Sequence, residues 1–512
     1  MLVFETLLLL LFVSAFLSMA AQRANVPYPT LLALGGAVVA FLPGAPKLDL
    51  PPELILALFV APVLLDAAYD ASLRDLRDNW RPVTSLVLVA VGLTTLAVAV
   101  TARLLAPDMP WAAAIALGAL LAPPDAVAAL AVMRQVEPPH RIRKVLEGES
   151  LLNDASALLL YKLAVGAAVA GGFGLEEAVP AFALVTVGSV AAGWCLARLT
   201  RSLIHRIDDV PTSVIIQFVV TFGVWLLAER LGLSPVVTVV VFGLTAARST
   251  PQPARLRVPS FAVWETVTFV LNVLAFTLIG LQLGPILDSL DGTELLTQSG
   301  AALIVLAVVV AARLLWAMAY TLTQRGGHAG LPAPPGAAEP LTVKGGLVIG
   351  WSGMRGIVTL AAALALPADF PGRDFIQLTA FVVVLGTLVV QGLTLRPLLV
   401  LLRLPEDNTV ETELSLARAA ALKAAMAVLD GDDTPAADRL RLEYRDALVK
   451  ARKGRNPSES ADNRLRRSAV PASRRAIADL RRSGAIGDDA YRRVEEELDW
   501  LELSSGPAPA GE

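Results

Sequence analysis

The stretch Glu147-Gly148-Glu149-Ser150-Leu151-Leu152-Asn153-Asp154 stands at the head of an apolar run of span length. Ionisable side chains inside a membrane span are costly. They persist where they face an aqueous path, pair with each other or hold an ion. Glu149 precedes Asn153 by one helical turn, as Ser150 does Asp154. A helix therefore sets the two pairs on adjoining strips of one face. That face offers oxygen ligands and a carboxylate able to bind a proton, the donor set a hard monovalent cation needs.

The surrounding composition is that of a membrane protein. Of 512 residues, 55% are hydrophobic and only 17% charged, with a mean hydropathy of +0.62. Apolar stretches begin near Leu2, Tyr28, Pro52, Pro82, Trp111, Val145, Ala178, Val214, Ser234, Ala262, Gly300, Leu341 and Phe375, and the last ends near Leu402. At roughly 20 residues per crossing they predict an all-α polytopic membrane protein of about thirteen transmembrane helices. The first stretch, from Leu2 to about Met19, lacks a basic leader and carries Glu5, so it reads as a span rather than a signal peptide. Cys195 is the one cysteine, which excludes a disulfide within the chain and a cysteine metal site. His140, His205 and His328 fall in expected loops and read as solvated.

Basic residues alternate between loops. One set carries Arg74, Arg77 and Arg81, then Arg134, Arg141, Arg143 and Lys144, then Arg198, Arg201 and Arg206, then Arg248, Arg255 and Arg257. The other set carries little besides Lys47, Arg103, Arg230 and Arg373. The positive-inside rule then puts the N-terminus outside and the C-terminus in the cytoplasm, which requires an odd number of spans. After Arg403 the chain turns strongly charged. The division expected is a transmembrane domain over 1–403 and a helical cytoplasmic tail over 404–512. In the tail, Leu440, Tyr444 and Leu448, and later Val494, Leu498 and Leu501, recur at helical spacing, with a polar linker at Gly454–Ser458 between them. The tail reads as a solvated helical extension. Nothing in the chain suggests a nucleotide or nucleic-acid site.

Two further polar breaks interrupt spans. At Ala122-Pro123-Pro124-Asp125-Ala126, two prolines remove helical donors and free carbonyls. Unwound backbone at membrane depth is tolerated only where protein or a water-filled cavity surrounds it. The second break runs through Gly345, Gly346, Gly350, Gly353, Arg355 and Gly356. Arg355 keeps its charge and in the membrane needs a carboxylate partner, for which Glu149 and Asp125 are the candidates. One interrupted span in each half of the chain points to an ion site between inverted repeats. That symmetry is inferred from hydropathy and the breaks, since no residue-level repeat is evident. Asp66, Lys162 and Arg313 are further charges within spans. Asp66 is placed to line a cavity, while Lys162 and Arg313 read as snorkelling or structurally paired. Asp154 has the strongest case for chemistry. Removed from bulk water, it holds a proton or a cation but not readily both, and that competition suffices for exchange. Asn153 is neutral, so the pair carries one titratable charge, which favours a one-for-one electroneutral cycle.

At these residues the sequence resembles the NhaP/NHE-type sodium/proton exchangers of the monovalent cation:proton antiporter-1 family. The motifs are Ala122-Pro123-Pro124-Asp125-Ala126, Glu147 to Asp154, and Gly353-Met354-Arg355-Gly356. The resemblance runs from the N-terminus to about Leu402. It implies inverted repeats with two broken crossing helices, a dimerisation domain, a mobile core and elevator-like alternating access. It also implies Asp154 as the shared cation and proton site and Ser150 as a nearby oxygen ligand of the cation. Asn153 orients the site, Glu149 pairs with Arg355, Asp125 sits in the crossing of the two broken helices, and Asp66 matches an acidic position in the third span, both being cation- and proton-binding residues by this resemblance. Many relatives carry Thr-Asp-Pro where this chain has Pro124-Asp125-Ala126, and often glutamate at the position of Asp66.

Together these readings predict a secondary active monovalent cation/proton antiporter of the cytoplasmic membrane, not an enzyme. Its partners are Na+ (or Li+), protons, the lipid bilayer and a second copy of the chain, with no cofactor. K+/H+ exchange is the variant within this class. An ion-coupled carrier of an organic solute would need a larger cavity with anion-binding helix ends, and no further polar cluster supplies one. A non-transporting sensor would tolerate replacement of Asp154.

Overall fold

A computed structural model of the chain describes residues 2–42, 51–170, 175–204, 206–207, 209–248, 253–288, 292–327, 341–405, 407–453 and 461–506. His205, His328, Lys47 and the expected linker Gly454–Ser458 lie outside the described residues. The chain divides into two compact units, Met1–Pro405 and Glu406–Glu512.

Among the described residues the first unit is helical throughout. Nine stretches are long and apolar enough to cross a bilayer among the described residues: Pro52–Asp70, Trp80–Leu105, Trp111–Met133, His140–Val169, Phe182–Leu203, Val210–Arg230, Ala254–Leu287, Leu295–Gln324 and Arg373–Leu402. Shorter apolar helices cover Leu8–Ala24, Tyr28–Ala40 and Pro235–Ala246. Two short helices, Val343–Trp351 and Ile357–Leu364, flank an unwound turn. The sequence boundaries fall close to these helices except at Ala262 and Gly300, where helices start earlier, at Ala254 and Gly292. The extra turns hold Arg255, Arg257, Glu294 and Gln298. Such residues end an apolar run without ending a helix, because the backbone bonds continue past the hydrocarbon.

Local chemistry fixes several starts. Ser234 Oγ accepts from Val237 N (3.4 Å), Asp209 Oδ2 from Thr212 N (2.9 Å) and Thr342 Oγ1 from Gly345 N (3.0 Å). Each satisfies an orphan donor of a first helical turn. Pro211 and Pro235 sit in those first turns, where no donor is lost. π-Helical turns occupy Leu56–Val60, just before Pro62, and Ser85–Ala90. Such turns free carbonyls for other partners. In this protein Val87 O accepts from Ser156 Oγ of the Asp154 helix at 3.1 Å.

Helices pack closely where side chains are small. Tyr28–Ala40 lies against Ala254–Leu281 at Gly36 and Gly280. A Cβ on Gly36 would stand 2.2 Å from Thr277 O, and one on Gly280 2.2 Å from Ala33 O. Only glycine allows that approach, the packing mode of helices in lipid. Arg373–Leu402 runs through the interior, burying Leu378, Phe381, Val384, Leu388 and Leu395. By contrast Leu184 (74% exposed) and Leu199 (72%) of Leu175–Ile204 point outward, an apolar surface that fits lipid. The protein is a multi-pass membrane protein.

The second unit comprises helices Thr409–Val428, Pro435–Arg452, Ala461–Arg482 and Asp488–Ser505. Leu440 and Val494 each fall on one of them. Ser415 Oγ donates to Ala451 O at 2.6 Å, joining the first two. Arg474 Nη2 meets Asp499 (2.5 Å) and Glu502 (2.6 Å), joining the last two.

Candidate functional site

The site lies where two interrupted helices meet beside helix His140–Ala170. The first ends at Leu121 and resumes at Ala126. The second ends at Trp351 and resumes at Ile357. Pro123 and Pro124 cannot donate, so the first helix cannot continue through them. The two unwound strands complete each other's hydrogen bonding. Asp125 N donates to Met354 O at 2.6 Å. Arg355 Nε donates to Leu121 O (2.9 Å), its Nη2 to Ala122 O (3.4 Å) and its Nη1 to Gly353 O. Arg355 N is held by Thr387 Oγ1 at 3.0 Å. Thus one guanidinium satisfies the carbonyls that the break orphans, which non-aqueous surroundings demand. Gly356 allows the crossing: a Cβ there would lie 2.2 Å from Asp125 Oδ2.

Asp125 caps the resumed helix, its Oδ1 accepting from Val127 N at 2.9 Å. The positive end of that helix favours its charge. Asn153 is fully buried, and its Nδ2 donates to Pro124 O at 2.9 Å. Because Pro124 O can only accept, the amide orientation is fixed. Asn153 Oδ1 is left buried with no hydrogen-bond partner. Asp154, the next residue, and Ser150, one turn earlier, are both partly buried. Among the described residues neither Asp154 nor Asp125 has an arginine or lysine within ion-pairing distance. The charge bearing on Asp154 is that of Asp125. The crossing therefore gathers Asp125, Asn153, Asp154 and the Pro124 backbone.

Glu149 corrects an expectation. Its carboxylate is gripped by Arg313, not Arg355: Arg313 Nη1 meets Oε1 at 2.5 Å and Nη2 meets Oε2 at 2.8 Å. Arg313 Nη2 also donates to Ile349 O at 3.1 Å. Both partners are almost wholly buried, Glu149 at 1% and Arg313 at 2% exposed. The physical reason is that Arg355 sits in the break itself and is engaged by its carbonyls. Arg313 reaches Glu149 from Gly292–Gly327 with the two-pronged geometry that suits a guanidinium. Arg313, read from the sequence as snorkelling or structurally paired, is therefore the partner of Glu149 that the sequence did not assign. The signal for it was an arginine in the middle of an apolar run, where a buried partner is required. Lys162 is exposed on its helix. Asp66 is half-buried on helix Ala61–Asp70, with Asp70, Glu265 and Arg134 as the charged groups bearing on it. A tie not foreseen runs from Tyr161 OH to Ala362 O (2.7 Å), joining the Asp154 helix to the second broken helix.

A bilayer-crossing helical bundle with two unwound backbones meeting beside unpaired carboxylates is the architecture of a secondary transporter. The family model "Sodium/hydrogen exchanger, transmembrane" matches residues 8–401, and the chain belongs to that family of monovalent cation/proton antiporters. An uncharacterized Na+/H+ exchanger of Mycobacterium tuberculosis is 32% identical, covering 94% of this chain and 92% of its own length. The low-affinity Na+/H+ antiporter of Synechocystis is 30% identical, covering 83% of this chain and 79% of its own. The sodium proton antiporter of Methanocaldococcus jannaschii has a similar fold, with a TM-score of 0.59 at 18% identity, covering 79% of this chain and 98% of its own. The chain is an antiporter of the Na+/H+ exchange type.

Proposed function

We propose that the protein exchanges Na+, and Li+, for protons one for one, with both substrates competing for Asp154. The observation that supports this is that Asp154, with no ion pair among the described residues, follows directly on Asn153, whose buried Oδ1 has no hydrogen-bond partner among them. A buried oxygen without a donor is costly in a resting protein and suits a cation that comes and goes. Asp154 binds the cation, Ser150 adds a hydroxyl oxygen, and Asn153 fixes the break through Pro124. Asp125 caps the resumed helix through Val127, and Asp154 is the group that is neutralised by cation or proton. Glu149 and Arg313 hold the helix, and Asp66 is a further cation- and proton-binding carboxylate. Thirteen spans in inverted repeats, elevator-like motion of a core domain, a homodimer, a cytoplasmic tail and an outside N-terminus belong to the same reading.

K+ as an alternative cation is favoured by relatives from Bacillus. A Bacillus subtilis protein named a sodium, potassium, lithium and rubidium/H+ antiporter is 28% identical over 93% of this chain and 74% of its own length. Proteoliposomes with a trapped pH dye separate the readings. Proton flux on addition of Na+ or Li+ but not K+ supports the first, and comparable K+ flux the second. Silence with all three cations overturns both.

A further inference from the structure

Gln391, on helix Arg373–Leu402, is fully buried, and neither its Oε1 nor its Nε2 has a hydrogen-bond partner among the described residues. A side-chain amide brings two donors and an acceptor, and leaving them unmet in an interior is costly. The packing beside it shows what can meet them. Three residues earlier, Leu388 O accepts from Thr30 Oγ1 of helix Tyr28–Ala40 at 2.8 Å. Thr30 is itself fully buried. One residue later, Gly392 leaves the room that Thr30 occupies: a Cβ there would lie 2.5 Å from Thr30 Oγ1. Leu388, Gln391 and Gly392 stand at i, i+3 and i+4, so they are neighbours on one side of the helix. The Thr30 hydroxyl thus rests on a glycine, with one acceptor engaged and an idle amide within a turn.

We infer that Gln391 is a positioning residue for exchange. In the opposite-facing state of the carrier, the Thr30 hydroxyl leaves Leu388 O and is received by Gln391 Oε1. This rests on the alternating-access reading above. A carrier passes between two arrangements of similar energy, and packed helices step between discrete contacts rather than stretch them. A hydroxyl that gives up its acceptor away from water needs another, or the step carries the cost of an orphan. Gln391 supplies the second acceptor, and Gly392 keeps the way between the two clear of side chain. The amide is idle in this state because its partner is held by Leu388.

The test uses the full chain in proteoliposomes with a trapped pH dye, at a saturating level of the cation that drives wild-type exchange. Gln391→Met keeps the reach of the side chain and removes its polar atoms. It is expected to lower the maximal rate about three- to tenfold, the population lost with one hydrogen bond, without lowering the melting temperature in detergent. In a Thr30→Val background, Gln391→Met is expected to have no further effect on the rate, since the group it receives is gone. Thr379→Val removes another fully buried, unpartnered oxygen of the same helix and is expected to keep the wild-type rate. Equal slowing by Gln391→Met with and without Thr30, equal slowing by Thr379→Val, or an unchanged rate in Gln391→Met overturns the inference. So does a lower melting temperature in both Gln391→Met and Gln391→Leu, which would show the amide already bonded in this state. Wild-type protein silent with every cation would instead overturn the exchange reading on which the inference stands.

Discussion

Replacing Arg313 by methionine removes both prongs that hold Glu149 (2.5 and 2.8 Å) while keeping an apolar chain of similar reach. Glu149, 1% exposed, is then a buried carboxylate with no cation in contact. Breaking a buried pair from one side costs about 3–5 kcal/mol, whereas replacing both members by neutral groups is often close to neutral. Glu149→Gln in the same chain should therefore return most of that loss. Arg355→Met also destabilises, but through a different route. It orphans the carbonyls of Leu121 and Ala122, at about 1–3 kcal/mol for a buried group left unsatisfied. Glu149→Gln gives those carbonyls nothing, so it should not rescue Arg355→Met. The assay is a double-mutant cycle in thermal and denaturant unfolding of the detergent-purified protein. A coupling of about 2 kcal/mol or more is expected between positions 149 and 313, against less than about 1 kcal/mol between 149 and 355. The reverse ranking would refute the assignment of Arg313 as partner.

Three shorter expectations follow from the crossing. Gly356→Ala puts a methyl 2.2 Å from Asp125 Oδ2 and should cost about 1–3 kcal/mol through overpacking, with exchange in proteoliposomes lost; wild-type flux would contradict the contact. Asn153→Leu strands Pro124 O and removes the unpartnered oxygen, so unfolding should shift by about 1–3 kcal/mol and cation affinity should fall together. Unchanged cation dependence would remove Asn153 from the site. In the tail, Arg474→Ala breaks two exposed ion pairs and should change stability by no more than about 1 kcal/mol, read by calorimetry in low and high salt.

Much of the arrangement was legible in the sequence, for physical reasons that differ by element. Prolines and glycines break a helix whatever surrounds them, so the interruptions at Pro123-Pro124-Asp125 and at Gly353 to Gly356 could be read directly. The turn-spaced polar residues on His140–Ala170 were legible because membrane interiors leave polar groups few uses. The partner of Glu149 was not. Arg313 is 164 positions away, and which of two buried arginines reaches the carboxylate depends on helix rotation and on which one the broken backbone claims first. Helix ends beyond the apolar core, at Ala254 and Gly292, were hidden because hydropathy reports the membrane rather than the backbone.

The central claim is that cation and proton compete for the Asp154 carboxylate. The most direct measurement is proton flux in proteoliposomes over a matrix of Na+ concentration and pH, with wild type and Asp154→Asn side by side. Competition predicts that the Na+ concentration for half-maximal flux rises as pH falls through the carboxyl titration, approaching about tenfold per pH unit on the acidic side, with the maximal rate kept, and that the folded variant is silent. A half-maximal concentration that does not move with pH, or flux retained in Asp154→Asn, would contradict it.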